Sequence, residues 1–419
     1  MTQTQPWTGR RLEVEVGPVA HGGHCVARAD GRVVFVRHAL PGERVVVEVT
    51  EDKGGSFCRA DAVEVLEPSP DRVEPPCPAA RPGGCGGCDW QHASGEAQRS
   101  LKAGIVAEQL RRLAGLEVDV EMEALPGGLG EWRTRLRMVV DGKGRAGFRA
   151  HRSHKVVPVR RCTIAAPDLV EEVTAQHWTR GAEIDLTADS MGRMDIVERP
   201  QRGRPRTVTG DGVAVERAGG REWRVEAHGF WQVHPEAADL YAEIVAEWAA
   251  TPVGGTAWDL YGGAGLFAAV LAEQVGPDGS VVVVESSRPA VADGRRNLAD
   301  LPQVRFRTGL VEETTLSGRP DVVVLDPPRK GAGKAVVDTI ASHEPTRVIY
   351  VACDPAALAR DIAAFAEHGY RLERLRAFDA FPMTHHMECI ALLCLSAPPS
   401  ASRLGSTFSA RSARGSAPE

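Results

Sequence analysis

The sequence lacks any apolar run approaching the roughly 20 residues that a bilayer-spanning helix needs. Its start, Met1 to Arg10, has no basic segment leading into an apolar core. Neither a membrane anchor nor a secretory leader is expected, and a cytoplasmic location follows by default. A disulfide framework is also missing. The nine cysteines are an odd number and unevenly spread: Cys77, Cys85 and Cys88 cluster, while Cys25, Cys58, Cys162, Cys353, Cys389 and Cys394 stand apart. That pattern points to a metal site plus separate thiols. No internal repeat is evident. An overall positive charge is absent too, with 50 Lys and Arg against 56 Asp and Glu and a formal net charge of −6. The sum argues weakly against a nucleic-acid partner, but electrostatic footprints are local. Arg133 to Arg161 holds Arg133, Arg135, Arg137, Lys143, Arg145, Arg149, Arg152, Lys155, Arg160 and Arg161 against one acid, Asp141. A second cluster comprises Arg193, Arg199, Arg202, Arg204 and Arg206. Each alone could be a solvated face; together they favour RNA.

What is present is enough chain for two or three domains, 419 residues with 43% apolar content. The first domain is expected over 1–67. Leu12 to Val16, Val33 to Val36, Val45 to Val49 and Ala60 to Val65 are β-branched runs separated by glycine-bearing turns, the pattern of a small five-stranded barrel. The stretch ending in Leu40-Pro41-Gly42-Glu43 resembles a TRAM domain, an OB-like module that grips RNA; a barrel that only packs on its neighbour is the alternative. Residues 68–230 read as a mostly antiparallel central domain that carries the cysteine cluster. Within it, Glu96 to Leu113 has helical periodicity and is expected to close the cluster segment. From Ala237 the pattern turns to strand, helix, strand, helix, the signature of a doubly wound parallel sheet, and a third domain is placed over 231–396. Residues 397–419, rich in Ser, Ala, Pro and Arg, read as a disordered tail.

In the third domain the strand Thr256 to Leu260 runs into Tyr261-Gly262-Gly263-Ala264-Gly265 and a helix from Leu266 to Gln274. Glycines there let the backbone pass close to a ligand at a helix N-terminus. A second strand, Val281 to Val284, ends in Glu285, 20 residues beyond Gly265, placed to accept hydrogen bonds from ribose hydroxyls. Two further strands end in Asp326-Pro327-Pro328-Arg329 and Ala352-Cys353-Asp354-Pro355. These, with Phe230-Trp231-Gln232-Val233, Ala359-Arg360-Asp361 and Phe381-Pro382 followed by Thr384, His385 and Glu388, resemble the uracil-C5 RNA methyltransferases that act on ribosomal or transfer RNA. The resemblance runs from the barrel to about Ser396. It implies a class I methyltransferase sheet, with S-adenosylmethionine bound through Gln232, Tyr261, Glu285 and Asp326. Three departures stand out: His234 where the family usually has Asn, Gly262 where it often has Cys, and a Thr308-Gly309-Leu310 loop without the usual polar residue.

C5 of uracil is a poor nucleophile, so methylating it calls for a thiolate to add temporarily to C6. Cys353 is the expected nucleophile, at a strand's carboxyl end, with Asp354 as N-cap and Pro355 at the first helical position; a helix N-terminus there favours thiolate. The alternative is a small buried hydrophobe. Release of the cysteine then needs a base for the C5 proton. The resemblance assigns it to Glu388, against a carboxylate paired with His385 or His386. Gln232 could instead cap the helix near Pro235. Cys77, Cys85 and Cys88 give a Gly-bracketed C-x7-C-x2-C that needs a fourth ligand, for which Cys162 is the candidate. The resemblance implies a [4Fe-4S] cluster held by these four, with zinc, which spacing alone does not exclude, less favoured. The expected enzyme is a monomer acting on RNA, with 23S ribosomal RNA favoured over transfer RNA. A catalytically silent RNA binder and a redox protein using a dinucleotide are the readings from other classes.

Overall fold

The computed structural model describes residues 6–396; the expectation for 397–419 lies outside them. The amino-terminal barrel has five strands, β1 (Arg11–Glu15), β2 (Cys25–Ala29), β3 (Arg32–Arg37), β4 (Arg44–Glu51) and β5 (Phe57–Glu67), in the order β1-β4-β5-β3-β2. Val45, Val47 and Val49 alternate with more exposed neighbours, and so do Val34 and Val36, the period of two that a sheet with one buried face requires.

The segment after the barrel departs from expectation. The helix α1 (Gly95–Gln109) is capped by Ser94, whose side chain accepts from the Ala97 N–H. It does not close the cysteine segment; its Ile105 and Val106 join the core under the carboxy-terminal sheet. Its Lys102, fully buried, reaches Asp379 at 2.5 Å. Strand β6 (Met122–Ala124) then pairs in parallel on that sheet's edge. Spatially, residues from Ser94 to Ala124 therefore belong with the third domain rather than inside 68–230.

The central sheet is antiparallel throughout. Its strands are β7 (Arg135–Val140), β8 (Ala146–Arg149), β9 (Val156–Pro158), β10 (Glu183–Ala188), β11 (Met194–Arg199) and β12 (Arg206–Thr209), in the order β12-β11-β10-β7-β8-β9. The short helix α2 (Leu169–Thr174) covers one face with Leu169, Val170 and Val173. A hairpin, β13 (Val213–Ala218) and β14 (Arg221–Glu226), places Trp223 in the core of the next unit.

That unit opens with α3 (Ala237–Ala249). It continues through β15 (Thr256–Leu260), α4 (Leu266–Val275), β16 (Ser280–Glu285), α5 (Arg288–Asn297), β17 (Val304–Thr308), β18 (Val322–Leu325), α6 (Lys334–Ser342), β19 (Arg347–Ala352), α7 (Pro355–Glu367), β20 (Tyr370–Asp379) and β21 (Glu388–Leu395). The sheet order is β17-β16-β15-β18-β19-β21-β20-β6. Strands β15 to β19 are parallel, and β21 runs antiparallel between β19 and β20. Both faces are covered, which is why these strands read as near-continuous apolar runs. In β18, Val322 and Val324 face one core while Val323 and Leu325 face the other. The latter core continues through Trp90 into the barrel. Among the described residues no helix is long and apolar enough to cross a membrane.

Candidate active site

The strand order reverses between β15 and β18, and ligands of open α/β sheets bind at the carboxyl ends of strands beside such a reversal. The residues read from sequence gather there. Tyr261 follows β15, Glu285 ends β16, Asp326 follows β18 and Cys353 follows β19. Because β21 is antiparallel, its first residue, Glu388, lies at the same edge, and Cys389 pairs with Ala352.

Tyr261 adopts φ +60°, unusual for a residue with a side chain, and its buried hydroxyl has no hydrogen-bond partner. Glu285 accepts from the Gly263 N–H at 3.0 Å and the Ser287 N–H at 2.6 Å. Its carboxylate thus ties the glycine loop to β16. Gln232 does not cap a helix: α3 starts at Ala237 with no side-chain cap. The three departures acquire physical accounts. His234 is buried, stacks on Trp132 with ring centroids 6.0 Å apart, and accepts from the Glu236 N–H; burial lowers its pKa to about 4, so it is a neutral turn residue. A Cβ at Gly262 would lie 2.6 Å from Val283 Cγ1 and 2.8 Å from Asp259 Cγ, so this packing has no room for the family's cysteine. Gly309 anchors its loop by donating to the Glu285 carbonyl.

Asp354 caps α7 as expected, its Oδ1 accepting from the Ala357 N–H at 2.8 Å. Yet the Cys353 thiol is pushed up to about 12, by burial first and then by Glu388 and Asp326; Arg329 opposes the shift. Burial, reinforced by the neighbouring acids, works against the thiolate that the helix terminus favours. Glu388 is buried, its Oε1 is unpartnered, and its pKa lies well above the ordinary value, through burial and then the Asp326 charge. It is not paired with a histidine: His385 Nδ1 donates to Asp89 at 2.7 Å, and His386 lies against Arg329. Asp326 is raised to about 7 by burial and Glu285, and Asp259 to about 8 by burial. Arg329, inside the quoted Asp-Pro-Pro-Arg run, is the cation facing both Cys353 and Glu388, a role the sequence reading left unassigned.

The structure brings Cys77, Cys85, Cys88 and Cys162 to one cleft, with Gln91 and Phe148 in its walls. Among the described residues no group of three or more metal-ligating side chains is placed to hold a single ion. Burial first, and then the neighbouring thiols, raise Cys85, to about 11, and also Cys88 and Cys162. The basic run proves less free than its sequence suggested. Arg135 pairs with Glu216, Arg137 with Asp185, Arg161 with Glu131, Arg199 with Asp185 and Arg206 with Glu198. Three of these pairs join neighbouring strands, and the β10 register sets Asp185 opposite Arg137.

The sheet, its helices and the loop cluster at its carboxyl edge define a class I methyltransferase fold behind an OB-like barrel. Residues 7–63 match the TRAM domain family, and residues 313–395 match the tRNA (Uracil-5-)-methyltransferase family. Proteins named uncharacterized RNA methyltransferases are similar over 92% of this chain. One from Streptomyces avermitilis is 48% identical with 98% of its own length covered, and one from Corynebacterium efficiens is 40% identical with 94% covered. The chain belongs to this RNA (uracil-C5) methyltransferase family. The fold is shared with a crystal structure of Pyrococcus abyssi tRNA (uracil-54, C5)-methyltransferase in complex with S-adenosyl-L-homocysteine, with a TM-score of 0.67 and 22% identity over 90% of this chain and 99% of that one.

Proposed function

We propose that the chain binds S-adenosylmethionine and methylates C5 of a uridine through a covalent Cys353 adduct, acting as a cytoplasmic monomer. The observation that carries the reading is the meeting of Cys353, Asp326 and Glu388 at adjoining strand ends, with the orphaned oxygen of Glu388 buried beside the nucleophile. Gln232, Tyr261, Glu285 and Asp326 are the residues offered to the cofactor. The unpartnered Tyr261 hydroxyl and the partly exposed backbone of the glycine loop suit a nucleoside-bearing ligand. When bound, S-adenosylmethionine supplies a methyl group on a sulfonium, the electrophile for C5. Cys353 thiolate adds to C6 of the uracil, and electron density moves to C5 and O4. After C5 is methylated, Glu388 takes the C5 proton, the C5–C6 double bond re-forms and the thiolate leaves. Arg329 steadies the negative charge that Cys353 must carry. The target base has to leave its stack, which a loop or single strand makes less costly; the barrel and central sheet would hold the RNA around it. We favour 23S ribosomal RNA over transfer RNA on the barrel and cysteine layout.

Cys77, Cys85, Cys88 and Cys162 fit the family's [4Fe-4S] cluster in donor type. N–H groups already point at the sulfurs, from Gly87 to Cys85 and from Ile164 and Ala165 to Cys162, and a metal's positive charge would compensate that of the buried thiolates binding it. Zinc is the lesser alternative. The cluster's role would be structural, tying the cysteine segment to the central domain. Anaerobically purified protein should contain about four iron and four sulfide per chain, and Cys162→Ser should lower both; zinc without iron would overturn the assignment.

The function is tested with labelled S-adenosylmethionine and unmodified ribosomal and transfer RNA transcripts. Label should appear in 5-methyluridine from one RNA and vanish with Cys353→Ala. Label surviving in that variant would remove the covalent mechanism, and label in another nucleoside would remove the reaction.

A further inference from the structure

The barrel does more than lie beside the methyltransferase domain. Its loop between β1 and β2 reaches the strand ends, and His21 Nε2 donates to Asp354 Oδ2 at 3.0 Å across 333 residues of sequence. The same carboxylate uses its other oxygen to cap α7. Asp354 is therefore held from both sides, by the helix it starts and by the barrel, and it is the residue next to Cys353. His21 and Gly22 line one cleft with Cys353, Arg329, His385 and His386. The loop is firmly seated. Gly23 N donates to the Ala20 carbonyl, His24 Nδ1 lies 3.0 Å from the Gly22 carbonyl, and the Trp90 indole donates to the Gly23 carbonyl. Gly23 sits at φ +82°, where a Cβ would be 2.5 Å from His385 Cβ, so the His385 side chain packs directly on the Gly23 backbone.

We propose that His21 is a positioning residue of the methyl-transfer reaction: the barrel loop forms one wall of the target-base cleft and, through Asp354, holds the Cys353 turn in its reacting orientation. The inference rests on Cys353 being the nucleophile. It differs from a barrel that only grips RNA, because such a barrel would act on RNA affinity alone. Fixing a reacting group lowers the barrier, whereas loss of a remote grip raises KM.

The test compares native protein, His21→Ala, His21→Gln and Cys353→Ala, with labelled S-adenosylmethionine and the RNA transcript that accepts label. Formation of a denaturation-resistant protein–RNA adduct is followed on the same transcript carrying 5-fluorouridine. There C5 has no proton to lose after methylation, so the Cys353–C6 bond persists. His21→Ala should lower kcat and the adduct-formation rate together by roughly 10- to 100-fold, with KM for RNA within about twofold. His21→Gln, which keeps an N–H donor at similar reach, should recover most of the rate. An unchanged kcat and adduct rate, or a rise in KM alone, would overturn the proposal, as would equal loss in His21→Gln. Should Cys353→Ala itself form adduct or product, the nucleophile assignment fails, separately from His21.

Discussion

Burial prepares Glu388 for the role of base proposed for it. Desolvation and the neighbouring Asp326 hold its proton on well above the ordinary carboxylate range, with Arg329 opposing them. A base with a raised pKa is protonated and idle at low pH and gains activity as pH rises through that pKa. The Cys353 thiol, raised by burial first and then by Glu388 and Asp326, has the same sign. Turnover should therefore climb with pH across the neutral range, and a pH–kcat profile that falls there would contradict the assignment. Glu388→Gln should cut turnover by roughly 10²- to 10⁴-fold while leaving the first addition possible. A covalent RNA complex should then accumulate on unmodified transcript, visible as a shifted band on a denaturing gel. The roles proposed for these two residues could be read from the sequence because a thiol and a carboxylate sit in recognisable motifs. Their raised pKa values were not, since those depend on burial and then on which acids the sheet edge collects.

At the scale of elements, the glycine loop is the sharpest case. Strand β15, the loop and α4 lie within a residue of where their pattern places them, because a short apolar strand, three glycines and an apolar helix all favour one conformation. What the pattern did not carry is the packing behind Gly262, where Val283 and Asp259 leave no space for a side chain. Gly262→Cys, which restores the residue common in the family, should destabilise this protein by about 1–3 kcal/mol through overpacking. Urea unfolding would show it, and Val283→Ala in the same chain should recover much of the loss. Conversely, α1 has a clear period and a good cap, yet its partner was misread. Amphipathicity says that a helix has a buried face, not which surface it covers.

Over the whole molecule, Lys102 and Asp379 join α1 to the end of β20 with neither group exposed to solvent. Burial lowers the Lys102 pKa even though Asp379 favours the charged form, so the pair stands only if intact. Lys102→Met should cost about 3–5 kcal/mol by stranding Asp379, read as a lower unfolding midpoint. A loss under about 1 kcal/mol would mean that the carboxylate finds another partner or a proton. The same scale governs charge: Arg137 counted as free RNA-binding charge in sequence, yet it pairs with Asp185 on β10, a carboxylate it shares with Arg199.

The sequence alone determined the class of fold, the motifs on which the proposed chemistry rests and the four cysteines that share a cleft. Those depend on local periodicity, turn chemistry and residue type, all carried by neighbours in the chain. Only the tertiary structure decided that α1 and β6 extend the methyltransferase unit, that much of the basic run is paired, and that a barrel histidine reaches the residue beside Cys353. Each of these joins residues tens to hundreds of positions apart, through sheet register and packed faces that no local pattern encodes.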